Sequence, residues 1–446
     1  MKVIIIGAGT GGMCLAHGLK RAGVPVEVYE RDRTRADGLH GYRVGIDPTG
    51  NRALKECLPP ELFDAFAATC ARPPRYFNVF TEHLKRTASF PLREDTDPVN
   101  SERSVSRMTL RQVLLTGMED VVRFGKTFTH YERHADGTVT AHFADGTTAT
   151  GDVLVAADGT NSRVRRQYLP HAEVKDAGVI AISAKVPVTE ETRALLPREA
   201  FHGISLVFAP KGRFCIWHVM EFDRHDAAGT GVGGNDAELI ERRPGLLYDN
   251  TRDYINWGFS AAAGRFPGNV MEMRGEELMR LTLGMTTGWH PDMRRLFALA
   301  DPGSCFPIKI RTSVPVEPWE TTTVTLLGDA IHTMTPGHGV GANTALRDAS
   351  LLCRELTAAH NAAEPLLDAL RAYEAEMIPY GFARVADSLA QNGTSGHDPL
   401  HRPVIGRAVL ALTRAYFYLS SRIPPLREKF LTDLHTYRGG DEAAAL

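Results

Sequence analysis

The sequence predicts an α/β protein: a domain on buried parallel strands, an α+β second domain built on antiparallel sheet, and a C-terminal helical segment. Three observations predict it. Val3-Ile4-Ile5-Ile6 is a β-branched run that leads without a gap into Gly7-Ala8-Gly9-Thr10-Gly11-Gly12 and then Met13–Leu19, which reads as strand, glycine turn and helix. Far downstream, Thr323–Leu327 runs into a second glycine-rich stretch, Gly328–Asn343, and a helix through Leu346, Ala349, Leu352 and Leu356. Between them lie β-forming segments punctuated by Asp-Gly turns.

The first unit carries a dinucleotide fingerprint. After the helix, Pro25 to Tyr29 supplies another strand that ends at Glu30, eighteen residues beyond Gly12. Gly7 permits the tight turn, Gly9 lets the backbone approach a pyrophosphate, and Gly12 allows close helix packing. The helix start offers free N–H groups and a positive dipole end, and Glu30 is placed to accept from a ribose diol. This makes the first domain Rossmann-like. A second GxGxxG match, Gly229–Gly234, follows His225-Asp226-Ala227-Ala228 where a strand belongs, so it reads as a loop. One dinucleotide fold is expected, not two.

Arg107 to Leu115 reads as a helix that buries Leu110, Val113 and Leu114, with Arg107 and Arg111 one turn apart on another face. Phe128–Arg133, Thr138–Phe143 and Thr147–Thr150, separated by Ala135-Asp136-Gly137 and Ala144-Asp145-Gly146, form a β-meander. Asp152–Ala157 is a buried strand that ends in Asp158, a ligand position. From about residue 172 the character changes, with strands expected at Val179–Val186, Ile204–Phe208, Phe214–Phe222 and Tyr254–Ser260. Alternation puts Ile216, His218 and Met220 on one face and Cys215, Trp217 and Val219 on the other, and one face alone can line a pocket. From Tyr373 onward the pattern is helical, interrupted at Pro379, Pro399, Pro403 and Pro424-Pro425.

Composition narrows the function. With 51 Lys+Arg against 53 Asp+Glu in 446 residues, the net charge of −2 excludes a generic basic nucleic-acid binder. The six cysteines form no CxxC pair and lie near no zinc-finger His pair, so no metal site and a reducing compartment are expected. The start resembles no signal peptide, and no stretch approaches the roughly 18 apolar residues of a transmembrane helix. A cytoplasmic protein is expected.

Three motifs in order, Gly7–Gly12 with Glu30, then Ala157-Asp158-Gly159, then Gly328-Asp329, resemble the class A flavoprotein monooxygenases, the family of para-hydroxybenzoate hydroxylase and the tetracycline-inactivating monooxygenases. The resemblance covers residues 1 to about 390; the central 172–290 region matches only in kind. It implies a single FAD, with Gly7, Gly9 and Gly12 at the pyrophosphate and Glu30 with Arg31 at the adenosine ribose. It places Arg107 at the flavin phosphates or ribityl chain and Asp329 on the ribityl hydroxyls. The loop from Pro336 through Gly339, Gly341, Ala342 and Asn343 passes the isoalloxazine ring. Asp158 takes part in FAD and pyridine-nucleotide handling, with Arg163 or Arg165 as the phosphate contact. Gly41-Tyr42-Arg43-Val44-Gly45 falls where a flavin-flanking segment lies, which makes Arg43 a flavin candidate.

The same resemblance implies NAD(P)H as a transient co-substrate, dioxygen, and hydroxylation of an aromatic or polyketide-like small molecule through a flavin C4a-hydroperoxide. The chain then divides into an FAD-binding domain (1–75, 100–171 and 291–385), a substrate domain (76–99 and 172–290) and C-terminal helices (386–446). Substrate-pocket candidates are His218, Trp257 with Phe259, Pro336 and His338; His332 reads as structural. A Baeyer–Villiger or epoxidising reaction would use the same residues. A flavoprotein reductase and a non-catalytic FAD-binding protein also remain open, whereas none of the four tryptophans sits in the WxWxIP pattern of a flavin halogenase. The run Val404–Ile423 reads as a helix packed on the domains, with a membrane-interface helix as its alternative because Arg407, Arg414 and Arg422 recur along it.

Overall fold

The computed structural model describes residues 1–35, 37, 43–92, 97, 99–222, 250–336, 339–390, 395–396, 398–402 and 404–437. The Gly229–Gly234 loop, Gly41, Tyr42 and His338 lie outside these.

The β-branched runs become a five-stranded, wholly parallel sheet in the order Val324–Leu326, Val153–Ala156, Val3–Ile6, Val26–Tyr29, Val122–Arg123. Its central strand is buried on both faces, Val3, Ile4 and Ile5 being wholly inaccessible, which is why it reads as a continuous apolar run. Helices Thr10–Arg21 and Gly341–His360 pack on it and against each other. The predicted meander is present as Phe128–Arg133, Val139–Phe143 and Thr148–Gly151, antiparallel, and Phe143 stacks on Tyr29 with ring centroids 4.6 Å apart.

The second layer is a seven-stranded sheet ordered Phe306–Ser313, Val174–Pro187, Tyr254–Ala262, Arg213–Met220, Gly203–Ala209, Tyr76–Phe80, Arg86–Pro91. Two features depart from expectation. The sheet is mixed, because Gly203–Ala209 pairs parallel with Tyr76–Phe80. The return to the first domain also comes later than residue 291: Met293, Leu296 and Phe297 of the helix Pro291–Ala298 bury against Trp257 and Trp289, and Phe306–Ser313 is an edge strand of this sheet. The amphipathic stripe of that helix matches the second core, so the chain crosses back only after Ser313.

The helix Leu366–Ala390 continues through Pro379 instead of breaking there. Helices Ile405–Arg422 and Pro424–Tyr437 close the chain, with Leu410, Phe417 and Phe430 packed on Phe77, Phe90 and Phe208 of the sheet. Arg414 anchors the first of them to the Glu82 carboxylate and the Phe208 carbonyl. Among the described residues, no helix is long and apolar enough to cross a membrane. All six cysteines are free thiols.

Candidate active site

Three loops leave the C-terminal ends of three adjacent parallel strands: Gly7–Gly12 after Val3–Ile6, Asp158–Ser162 after Val153–Ala156, and Gly328–His332 after Val324–Leu326. In open α/β sheets this edge is where ligands bind. A cleft of ≈ 420 Å³ lies along the first two loops, walled by Gly7, Gly9, Glu30, Arg31, Arg107, Arg111, Asp158 and Arg163.

Backbone geometry makes Gly7 and Gly12 obligatory. Gly7 has φ +106°, and a Cβ there would stand 2.4 Å from the Ala157 carbonyl oxygen. A Cβ on Gly12 would stand 2.4 Å from the Gly7 oxygen and 2.9 Å from Ala157 Cβ, so its absence lets the helix sit directly on the strand ends. Gly9 caps the helix without any side-chain hydrogen bond, which leaves the first-turn N–H groups directed at the cleft. Glu30, 8 % exposed, accepts from the Ala8 and Asp32 amides at 2.7 and 3.0 Å and so fastens the first loop to the end of the second strand.

The arginines sort themselves by their partners. Arg107 is exposed at the start of the helix Arg107–Leu115, while Arg111 pairs with Asp32 at 2.8 Å across the cleft wall. Arg163 donates to the Phe128 carbonyl and lines the cleft. Arg165 points elsewhere: it is buried and donates to the Ala330 and Thr160 carbonyls at 2.7 and 3.0 Å. It ties the second and third loops together, and of the two arginines it is Arg163 that lines the cleft. Asp158 accepts from the Arg163 amide at 2.8 Å, its other carboxylate oxygen is buried without a partner, and burial raises its pKa.

The third loop is held by a buried network that the sequence did not announce. His332 Nε2 meets Asp348 Oδ2 at 2.6 Å, the Gly328 amide donates to the same oxygen at 2.7 Å, and Tyr380 donates to the other oxygen. Burial pulls the His332 pKa down, yet Asp348, with Asp329 behind it, more than reverses this and the net shift is upward. His332 is buried, with its Nε2 engaged by Asp348. Asp329 keeps an exposed side chain although protein surrounds it; burial raises its pKa, with His332, Arg107 and Thr160 pulling back. Asp348 lies within the helix Gly341–His360, 16 residues beyond His332, and the fold turns it toward Gly328.

Asn343, at the start of the same helix, donates to the Gly45 carbonyl at 2.9 Å and accepts from the Asp47 amide at 3.1 Å. It is a bridge between the start of that helix and the segment Gly45–Asp47, so its amide is engaged by protein. Gly341 and Ala342 are half-buried beside it, and Gly339 is exposed with φ +69°. Pro336 is exposed on the same loop. Arg43 donates through Nε to Ser104 Oγ at 3.0 Å, on the partner strand Arg103–Ser106.

In the seven-stranded sheet the two faces differ. Cys215, Trp217 and Val219 point into the second core. Trp257 and Phe259 do the same, wholly inaccessible, with Trp257 packed on Phe297 at 4.9 Å between ring centroids. They are core residues and not pocket walls. The half-buried positions on that strand are Asn256, Gly258 and Ser260, which register with His218, Ile216 and Phe214 on the opposite face. His218 is 3 % exposed and borders a small cavity of ≈ 70 Å³ with His202 and Glu221, which pair at 3.0 Å. The alternation located this face, but aromatic size drew attention to the wrong one.

Fold and site together define a dinucleotide-dependent oxidoreductase. Residues 289–387 match the FAD binding domain family. A Photorhabdus luminescens protein whose crystal structure was assigned as an FAD-containing monooxygenase is 33% identical, with a TM-score of 0.74 over 89% of this chain and 98% of that one. The FAD-dependent urate hydroxylase of Klebsiella oxytoca is 29% identical over 79% of this chain and 80% of its own. The dual O-methyltransferase/FAD-dependent monooxygenase of Cercospora beticola is 31% identical over 84% of this chain, but the chain spans only 44% of that longer protein. The chain belongs to the FAD-dependent monooxygenases.

Proposed function

We propose that the protein is a single-component monooxygenase that uses FAD, NAD(P)H and dioxygen to hydroxylate an aromatic or polyketide-like small molecule. The observation that carries this reading is the convergence of three loops on adjacent strand ends, with a cleft along two of them. The residues present fit FAD. The Gly7–Gly12 turn and the uncapped helix start suit a pyrophosphate, Glu30 with Arg31 suits the adenosine ribose, and Arg107 and Asp329 suit the ribityl-phosphate portion. Bound FAD supplies the electron relay from NAD(P)H and the activation of dioxygen.

The chain's own part is positioning and exclusion of water. The N-terminus of the twenty-residue helix Gly341–His360 has no side chain capping it, so its first-turn backbone N–H groups favour negative charge at that helix end. Asn343 holds that helix start against Gly45 and Asp47. The half-buried row Ile216, Gly258 and Ser260 offers a smooth wall for a planar substrate. The names of the relatives support the substrate class, since one acts on urate. Six free thiols support a reducing, cytoplasmic setting.

The test is anaerobic reduction of the purified protein by NADPH or NADH, followed through the visible flavin absorption, with a panel of phenols and polyketide aromatics. Faster bleaching with one compound, then recovery in air with hydroxylated product, is the expected outcome. A yellow protein that no compound and no nicotinamide reduces would contradict it.

A further inference from the structure

We propose that the outer face of the β-meander is a binding site for a divalent transition ion, zinc being the probe of choice, with His130, Glu132 and His142 as ligands. All three ligating groups lie within 4.8 Å of one another. The fold brings them together simply. A register shift at Phe128/His130 sets His130 opposite His142 on the neighbouring strand, and Glu132 follows two residues later on the same face. Val139, Ala141 and Phe143 turn inward, so His142 turns outward.

Hydrogen bonding prepares the site. The Thr129 hydroxyl donates to the His142 carbonyl at 2.9 Å, and the same oxygen lies 3.2 Å from His130 Nδ1. With its hydrogen committed, that oxygen accepts from Nδ1–H, which leaves a lone pair on His130 Nε2 in the neutral ring. That lone pair faces Glu132 Oε1 at 3.9 Å, and His142 Nε2, buried without a hydrogen-bond partner, faces Oε2 at 3.7 Å. The two imidazoles stack 6° from parallel with centroids at 4.3 Å, so one ring turns about its Cβ–Cγ bond to bring both in-plane Nε2 lone pairs onto one ion.

These separations are too long for hydrogen bonds and fall within reach of a bridging ion. Zinc binds nitrogen at roughly 2.0–2.1 Å and carboxylate oxygen at roughly 2.0–2.2 Å, so a shared ion spans up to about 4.2 Å. His130 Nε2 and the Glu132 carboxylate are both acceptors, and a cation between them relieves their mutual repulsion. Two nitrogens and one oxygen form a borderline donor set that suits zinc over magnesium, with a fourth position open to water. No spacing motif announced the site, because its ligands come from two strands.

Zinc titration of the tag-free, flavin-loaded protein by calorimetry tests the proposal. One ion per chain is expected, unaffected by excess magnesium, with affinity falling at least about tenfold in His142→Ala and in Glu132→Gln. Both variants are expected to retain flavin, since neither residue lines the cofactor cleft. Modification of histidines by diethyl pyrocarbonate, mapped by mass spectrometry on the unaltered chain, gives a second reading: zinc protects His130 and His142 but not exposed His83. Absence of saturable uptake, variants within twofold of the parent, or protection elsewhere would overturn the site.

Discussion

The parallel-sheet side and the seven-stranded-sheet side of this molecule are built by different means. On the parallel-sheet side, position is enforced by backbone against backbone: glycines stand where any Cβ would strike a carbonyl oxygen or a neighbouring Cβ. On the seven-stranded-sheet side, position is enforced by side chains packed from the sheet's two faces into two apolar clusters. The first kind of constraint restricts residue identity to one choice, whereas the second accepts many.

The largest effect should come from attacking the first kind. Gly7→Val combines a positive φ with a Cβ 2.4 Å from the Ala157 oxygen, so the loop cannot keep its path. Purified variant protein is expected to lose essentially all bound flavin, read as the ratio of visible to ultraviolet absorbance. Retention of stoichiometric flavin would show that the turn is not enforced by backbone contact.

This difference also decides what could be read in the sequence. The parallel strands, the meander and the three loops were legible because their residues are nearly dictated: β-branched runs, Asp-Gly turns, glycines in register. Trp257 and Phe259 misled because large aromatics suit a core as well as a pocket, and strand alternation does not say which face meets the cofactor. Asp348 and Tyr380 were silent because Asp348 meets His332 and Tyr380 meets Asp348 only through the fold, and each looks ordinary in its own helix.

A middle-sized effect tests whether the third loop is held by charge as well as by packing. His332 gains its raised pKa from Asp348 despite burial, so its contribution to stability is complete below the unfolded value of 6.5 and fades as pH rises through the higher folded value. His332→Gln retains a donor for Asp348 but removes the titration. The loss in melting temperature relative to the parent is therefore expected to be larger at pH 6 than at pH 9. An equal loss at both values would assign the network to packing and hydrogen bonding alone.

The smallest effect separates the two faces of the sheet. Gly258→Ala adds one methyl on the half-buried face, where its nearest neighbour is Ile216 Cγ2 at 3.4 Å, and it leaves the core untouched. Trp257→Phe, one residue away, opens a void in the core, at a cost of about 1–3 kcal/mol. If the open face is the substrate wall, Gly258→Ala shifts KM by a few fold with little change in melting temperature. Trp257→Phe does the reverse, lowering melting temperature while KM stays near the parent value. Should both variants move stability and leave KM alone, the substrate must be met by residues outside this strand, and the contrast between the two faces would lose its functional meaning.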